Sequence, residues 1–177
     1  PETQQLFERV AKHLEDEVEL PRPFAGLAEA QGIVWDYEMA RCLADEHRRF
    51  PEQIRERLRK QLDGGWEIPH ADYDRMSALA RRCRRLLTDA LADFDALIVP
   101  ATTGEAPKGL EATGDPVFNR IWSLLHGPAI SVPCGLTKDG LPIGLQIVGR
   151  MFDDATVLRA ARAFESAVPV ARPADPA

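Results

Sequence analysis

Apolar residues in the first 94 positions recur mostly at intervals of three and four, which is the period of an amphipathic helix. This pattern predicts four helical stretches, at residues 3–15, 25–49, 51–62 and 73–94. Within them, we expect Gly32 to break the second helix and Asp63-Gly64-Gly65 to end the third. The segment Glu17–Leu20 instead alternates polar and apolar residues, which predicts one short strand.

After residue 94, short apolar runs replace the helical period. Residues 96–99, 129–132 and 143–148 form three such runs and predict three strands. Asp139-Gly140 lies between the last two runs, and Asp-Gly is a strong signal for a tight hairpin turn. We therefore expect the second and third strands to be antiparallel neighbours.

A loop and two helices complete this half of the chain. Residues 101–115 are rich in Gly, Thr and Pro and predict a loop, and loops of this length are often binding segments. A short helix is predicted at residues 116–125. A last helix is predicted to begin after Asp153, because aspartate is a favoured residue at a helix N-terminus.

These elements predict an α/β protein in which a mixed β-sheet is flanked by helices. We divide the chain into a mainly helical segment with one short strand (residues 1–94), a sheet-forming core (95–168) and a proline-rich tail (169–177). The length of 177 residues suits one structural domain that contains all three parts.

Composition and charge narrow the range of partners. Hydrophobic residues make up 45% and charged residues 28% of the chain, as in ordinary globular proteins. The net charge of −6 argues against a nucleic-acid partner. The longest uncharged stretch, residues 121–137, contains Gly and Pro and predicts no membrane span. Since the first ten residues are polar and the three cysteines suggest no disulfide framework, we expect a cytoplasmic protein.

The residues by themselves predict no assembled active site. None of the four serines lies in a G-x-S-x-G elbow, and the histidines lack metal-ligand spacing, so no metal or cofactor is predicted. His126 and Cys134 lie eight residues apart and could form a nucleophile–base pair. The alternative is that Cys134 is a small apolar residue of the core.

Four segments carry a resemblance to a known family. They are DALIVP (Asp95–Pro100), TGDPVFNRIW (Thr113–Trp122), GPAISVPCG (Gly127–Gly135) and GLPIGLQIVG (Gly140–Gly149). In this order and spacing they resemble the C-terminal part of the amidase signature family. VELPRPF and GWEIPHADY are similar to the upstream part of bacterial amidases, so the resemblance covers nearly the whole chain.

The resemblance implies an enzyme that hydrolyses small carboxylic amides to an acid and ammonia or an amine. Family members use a serine nucleophile, a second serine in a cis peptide bond and a lysine base, all of which lie in their N-terminal half. The glycine- and serine-rich signature of that half does not occur in these residues. We therefore assign no catalytic residue, and we expect the chain to work with an N-terminal part of the same protein.

The same resemblance suggests Asp115, Asn119 and Trp122 as substrate-binding residues. The alternative is that Asp115 caps the following helix and that Trp122 belongs to the core.

Two other functions stay open. The chain could be a non-catalytic binding or assembly module, or a fragment of the A subunit of a glutamyl-tRNA amidotransferase. Because a partial sheet exposes edges, we also expect the isolated chain to self-associate into homo-oligomers.

Overall fold

The computed structural model of the protein describes residues 2–12, 14 and 16–168. The tail predicted at residues 169–177 lies outside the described residues. Within these residues, seven α-helices and three β-strands follow one another, in the order α1 (Glu2–Ala11), α2 (Leu27–Cys42), α3 (Ala44–Arg49), α4 (Glu56–Glu67), α5 (His70–Ala90), β1 (Leu97–Pro100), α6 (Val117–Leu125), β2 (Ala129–Leu136), β3 (Pro142–Val148) and α7 (Asp154–Ala167). Two short 3-10 helices, Arg22–Gly26 and Pro51–Gln53, precede α2 and α4. The α/β class is confirmed.

The three strands form a sheet in the order β1-β3-β2, and both pairings are antiparallel. The described sheet is therefore antiparallel and not mixed as expected, because neither pair is joined by the crossover connection to a parallel neighbour that a mixed sheet requires. The hairpin predicted between β2 and β3 is therefore confirmed. Its turn depends on Gly140, whose φ of 80° lies in the left-handed region that favours glycine. The buried Thr137 hydroxyl also closes the turn, because it accepts hydrogen bonds from the backbone N–H groups of Asp139 and Leu141.

The central strand β3 presents two different faces, because successive side chains point to opposite sides of a strand. Ile143, Leu145 and Ile147 are buried in a core that α1 and α7 share with the sheet. The other members of this core are Leu6, Val10, Val132, Cys134, Val157, Ala161 and Phe164. Gly144 and Gln146 point to the opposite face, on the side of α6 and the loop that precedes it.

Contacts within the chain define two compact units. One unit comprises Arg22–Cys83, with α2, α3, α4 and the first part of α5. The other comprises the described residues up to Pro21 and from Arg84 onward, and it contains the sheet with α1, α6 and α7. The domain boundary that we place between residues 94 and 95 is based on secondary structure and stays a prediction.

The helix interruptions predicted at glycine are wrong. The helix α2 continues through Gly32 to Cys42, and α4 continues through Gly64 and Gly65 to Glu67. One glycine costs a helix only about 1 kcal/mol relative to alanine, which packing can offset. The end of α4 is set by Pro69, because a proline disfavours helical geometry in the residue before it.

The short strand predicted at Glu17–Leu20 is also wrong, since the structure describes this segment as irregular. A strand forms only where its backbone finds a hydrogen-bonded neighbour, and four alternating residues cannot supply one. In the described part of the chain, none of the helices is long and apolar enough to cross a membrane.

Candidate functional site

A cavity of about 350 Å³ lies on the face of the sheet opposite α1 and α7. Its size falls within the usual range for small-molecule pockets. The wall is the loop between β1 and α6, and the floor comes from β2 and β3. The lining residues are 101–107 and 113–115 of the loop, Ser131 and Pro133 of β2, and Pro142, Ile143 and Gly144 of β3.

Strand alternation explains which side chains form the floor. Ser131 and Pro133 are exposed, whereas the alternating residues Val132 and Cys134 are buried in the core. Gly144 lies opposite Pro133 in the ladder. A Cβ atom at Gly144 would lie 2.8 Å from the Ser131 Oγ atom and 3.1 Å from the Val132 oxygen. A side chain at position 144 would therefore crowd the Ser131 hydroxyl and the Val132 carbonyl group, which favours glycine in this part of the floor.

Hydrogen bonds hold both ends of the loop. At its first residue, the Ala101 N–H donates to the Gly144 oxygen at 3.4 Å, and the Asn119 side-chain amide donates to the Ala101 oxygen at 3.0 Å. The Gln146 side-chain amide donates to the oxygens of Pro100 and Phe118, at 3.2 and 2.8 Å. The cavity wall is thus fastened to the sheet and to α6.

The three predicted site residues lie close together along the chain but have different surroundings. Asp115 is exposed and lines the cavity, and its Oδ1 atom accepts a hydrogen bond from the Val117 N–H at the start of α6. Asn119 supports the loop through Ala101 and does not line the cavity. Trp122 is only 3% exposed and also lies outside the lining. Their role in substrate binding stays a prediction.

Sequence reasoning did not single out Ser131, Glu105 or Gln146. Ser131 and Glu105 line the cavity, and Gln146 holds its wall. The signal for Ser131 was the alternation along β2, which places it with Pro133 on one face. Gln146 is visible in the sequence as the one polar side chain within an apolar run, but its partners are distant in the chain.

Among the residues that the structure describes, the cavity is lined by four hydroxyl side chains (Thr102, Thr103, Thr113 and Ser131) but by no lysine or histidine that could activate one of them. Nor do the described residues contain a cluster of three or more His, Cys, Asp or Glu side chains that could hold a metal ion.

The suggested pairing of Cys134 with His126 finds no support. Cys134 is 1% exposed in the core on the opposite face of the sheet, where its thiol donates to the Val132 oxygen. Burial raises the pKa of this thiol and so opposes formation of the thiolate nucleophile. His126 ends α6 in a left-handed conformation, and its ring lies 3.0 Å from the Arg84 guanidinium. Cys134 is therefore a residue of the core.

Comparisons with known proteins identify the family. Residues 1–158 match the family model described as Amidase, so the chain belongs to the amidase family. The chain is 39% identical over 127 residues to the A subunit of the glutamyl-tRNA(Gln) amidotransferase of Brevibacillus brevis, which covers 66% of this chain and 25% of the relative. The corresponding protein of Koribacter versatilis is 32% identical over 162 residues, which covers 81% of this chain and 33% of the relative.

Solved structures agree with this assignment. The crystal structure of an amidase superposes with a TM-score of 0.83 at 28% identity, over 95% of this chain and 42% of the amidase. The A subunit of the glutamyl-tRNA(Gln) amidotransferase from Thermotoga maritima superposes with a TM-score of 0.69 at 26% identity, over 95% of this chain and 39% of that protein. The chain spans about a quarter to a third of the length of the curated relatives that it matches.

Proposed function

We propose that residues 95–168 form one wall of the substrate pocket of an amidase that hydrolyses small carboxylic amides to an acid and ammonia or an amine. The observation that carries this proposal is the cavity of about 350 Å³, because three of the segments that resemble the family meet there. Thr113, Gly114 and Asp115 begin one segment, Ser131 and Pro133 belong to the second, and Gly144 belongs to the third. Residues 1–94 would form the helical scaffold.

In this proposal, Asp115 faces the polar end of the substrate, and Asn119 contributes to binding through the part of the wall that it holds. One oxygen of Asp115 caps α6, and its second oxygen can accept a hydrogen bond from the N–H of an amide. The Nδ2 atom of Asn119 donates to the oxygen of Ala101, which lines the cavity, so Asn119 would position the wall beside Asp115. Trp122 is a buried residue of α6, so it would support this wall from within the core.

We assign the chemistry of bond cleavage to residues outside positions 1–177. The nucleophilic serine, the serine of the cis peptide bond and the lysine would come from the N-terminal part of the same protein. The lysine would have to be neutral to accept a proton, which requires burial or hydrogen bonding that lowers its pKa. Backbone N–H groups near the nucleophile would stabilise the developing oxyanion. The present residues would bind and orient the acyl group.

Binding and turnover test this proposal separately. In a ¹⁵N NMR titration of the purified chain, propionamide should shift the resonances of Asp115, Ser131 and Gly144. The chain should release no ammonia from propionamide or benzamide, and Ser131→Ala should leave that result unchanged. Shifts confined to residues outside the cavity would contradict the pocket. Turnover that Ser131→Ala abolishes would contradict the assignment of the nucleophile to another part of the protein.

The gene offers an independent test. If the proposal is correct, the reading frame upstream of Pro1 encodes a glycine- and serine-rich stretch with a lysine before it. A start codon directly before Pro1 would instead favour a non-catalytic binding or assembly module. Such a module would also give no propionamide shifts at the cavity.

A second candidate function is favoured by the names of the curated relatives. Both relatives described above are A subunits of a glutamyl-tRNA(Gln) amidotransferase. If this chain belongs to such an enzyme, its substrate would be glutamine, and ammonia would pass to a partner subunit. L-Glutamine should then cause larger shifts at Asp115 and Ser131 than propionamide does, whereas a general amidase should favour propionamide.

We further propose that the protein works in the cytoplasm, without nucleic acid or membrane as a partner. All three cysteines are free thiols, which suits a reducing compartment. Fractionation of cells that express the tagged protein should recover it with cytosolic markers.

A further inference from the structure

Gln146 is a polar side chain in the centre of the sheet. It lies on β3, which is paired with β1 on one side and with β2 on the other. Its side chain is only 4% exposed, and a buried amide must be hydrogen-bonded to be tolerated there. The two N–H groups of its Nε2 atom meet two backbone oxygens, Pro100 at 3.2 Å and Phe118 at 2.8 Å.

These two oxygens mark the ends of the loop that walls the cavity. Pro100 is the last residue of β1, and Phe118 lies in the first turn of α6. A single side chain on the central strand therefore connects both ends of the segment 101–116. Asn119 adds a second connection from α6 to Ala101. We call Gln146 and Asn119 together the loop clasp.

The loop needs such a connection because it contains no helix or strand of its own. Holding a flexible segment in one conformation costs conformational entropy for each ordered residue. A hydrogen-bond donor on a central strand is fixed by the pairing of that strand on both sides, whereas a donor within the loop would move with the loop. The Gln146 amide also lies on the same face of β3 as Gly144, which is part of the cavity floor. It thus fixes the wall relative to the floor.

We propose that Gln146 is a positioning residue of the amide pocket, which sets the distance between the loop wall and the Gly144–Ser131 floor and thereby selects acyl groups by size. This inference rests on the proposed function of the cavity. Gln146 does not line the cavity, so it acts through the loop. Its loss would widen the pocket without removing any group that contacts the substrate.

Hydrogen exchange tests whether Gln146 holds the loop. Gln146→Met keeps the length of the side chain but removes both donors. We expect the amides of Ala101, Asn119 and Arg120 to exchange about tenfold faster or more in this variant, because two buried hydrogen bonds are lost. The amides of α7 should keep their rates. Thr137→Val is the matched control, because it removes two hydrogen bonds at a similarly buried side chain of the hairpin turn.

Size selection tests whether this holding matters for binding. The ratio of the dissociation constants for propionamide and hexanamide is measured by NMR titration, at a temperature where circular dichroism finds each variant fully folded. We expect Gln146→Met to lower the preference for the smaller amide several-fold, and Thr137→Val to leave the ratio as in the wild type. General destabilisation would not change this ratio in a folded population. Gln146→Leu also removes both hydrogen bonds, should shift the ratio in the same direction, and decides the question if Gln146→Met does not fold.

Each result separates the inference from the proposed function. An unchanged size ratio in a clasp variant, with amide binding intact in the wild type, refutes the role of Gln146 alone. Equal acceleration of exchange in the loop and in α7 refutes it as well, because the side chain would then only stabilise the whole fold. If the wild type binds neither amide at the cavity, the proposed function fails and the pocket role of Gln146 fails with it.

Discussion

At the scale of single residues, the three cysteines differ sharply in exposure. Cys42 is exposed, whereas Cys83 and Cys134 are almost completely buried. Burial raises the pKa of the Cys83 and Cys134 thiols, which disfavours their reactive thiolate forms. We expect a disulfide-exchange reagent such as DTNB to modify one thiol of the native protein rapidly and the other two only after unfolding.

A cysteine variant identifies the rapid thiol. Cys42→Ser should remove the fast phase and leave the slow modification of the two buried thiols unchanged. A fast phase that corresponds to two thiols would contradict the packing of the sheet or of α5. A fast phase that survives in Cys42→Ser would also mean that Cys83 or Cys134 is not buried as described.

The residues of the candidate site were only partly accessible to sequence reasoning. The loop after β1 and the cap at Asp115 could be predicted, because turn residues and helix caps act on their near neighbours. The role of Gln146 could not, because its two partners lie 46 and 28 positions away. A buried glutamine in an apolar run indicates that partners exist, but only the fold determines which carbonyl groups they are.

At the scale of secondary-structure elements, the glycine pair in α4 shows how packing decides what sequence leaves open. Gly64 and Gly65 are adjacent and were predicted together to end the helix. Gly65 is buried where α4 meets α2, and a Cβ atom there would collide with the Asp36 oxygen and lie 2.8 Å from the Ala40 Cβ atom. A Cβ atom at Gly64 would have no neighbouring atom within 4 Å. Only Gly65 is required for the close approach of the two helices.

Alanine substitutions at these two glycines should therefore have opposite effects. Gly64→Ala should raise the free energy of unfolding by about 0.4–1 kcal/mol, because alanine restricts the unfolded chain and favours the helix. Gly65→Ala should lower it by about 1–3 kcal/mol through overpacking against α2. Urea unfolding of the two variants and the wild type measures both changes. Equal stabilisation by the two substitutions would mean that α4 does not pack against α2 through Gly65.

The elements that could be predicted are those whose signals are local. The hairpin between β2 and β3 follows from two apolar runs and the Asp-Gly between them, and α7 begins directly after Asp153, as predicted. The segment Glu17–Leu20 alternates polar and apolar residues, but it has no pairing partner among the described strands. Alternation predicts which face of a strand is buried and cannot supply the neighbouring strand.

At the scale of the whole molecule, the sheet has two open edges. Among the described residues, β1 and β2 each pair with β3 on one side only. An unpaired edge presents backbone N–H and C=O groups to any other strand that approaches. The chain spans only a quarter to a third of the length of its curated relatives.

We therefore expect the isolated chain to self-associate through the edges of its sheet. Light scattering coupled to size-exclusion chromatography should give an average mass that rises with concentration above the 19.7 kDa of one chain. Leu136→Lys places a charge at the end of the β2 edge, where the leucine is 37% exposed, and should shift the protein towards the monomer. Leu110→Lys is the matched control, because Leu110 is 97% exposed in the loop and belongs to neither edge strand. A monomeric wild type at all concentrations, or an equal effect of the two substitutions, would show that the sheet edges do not drive association.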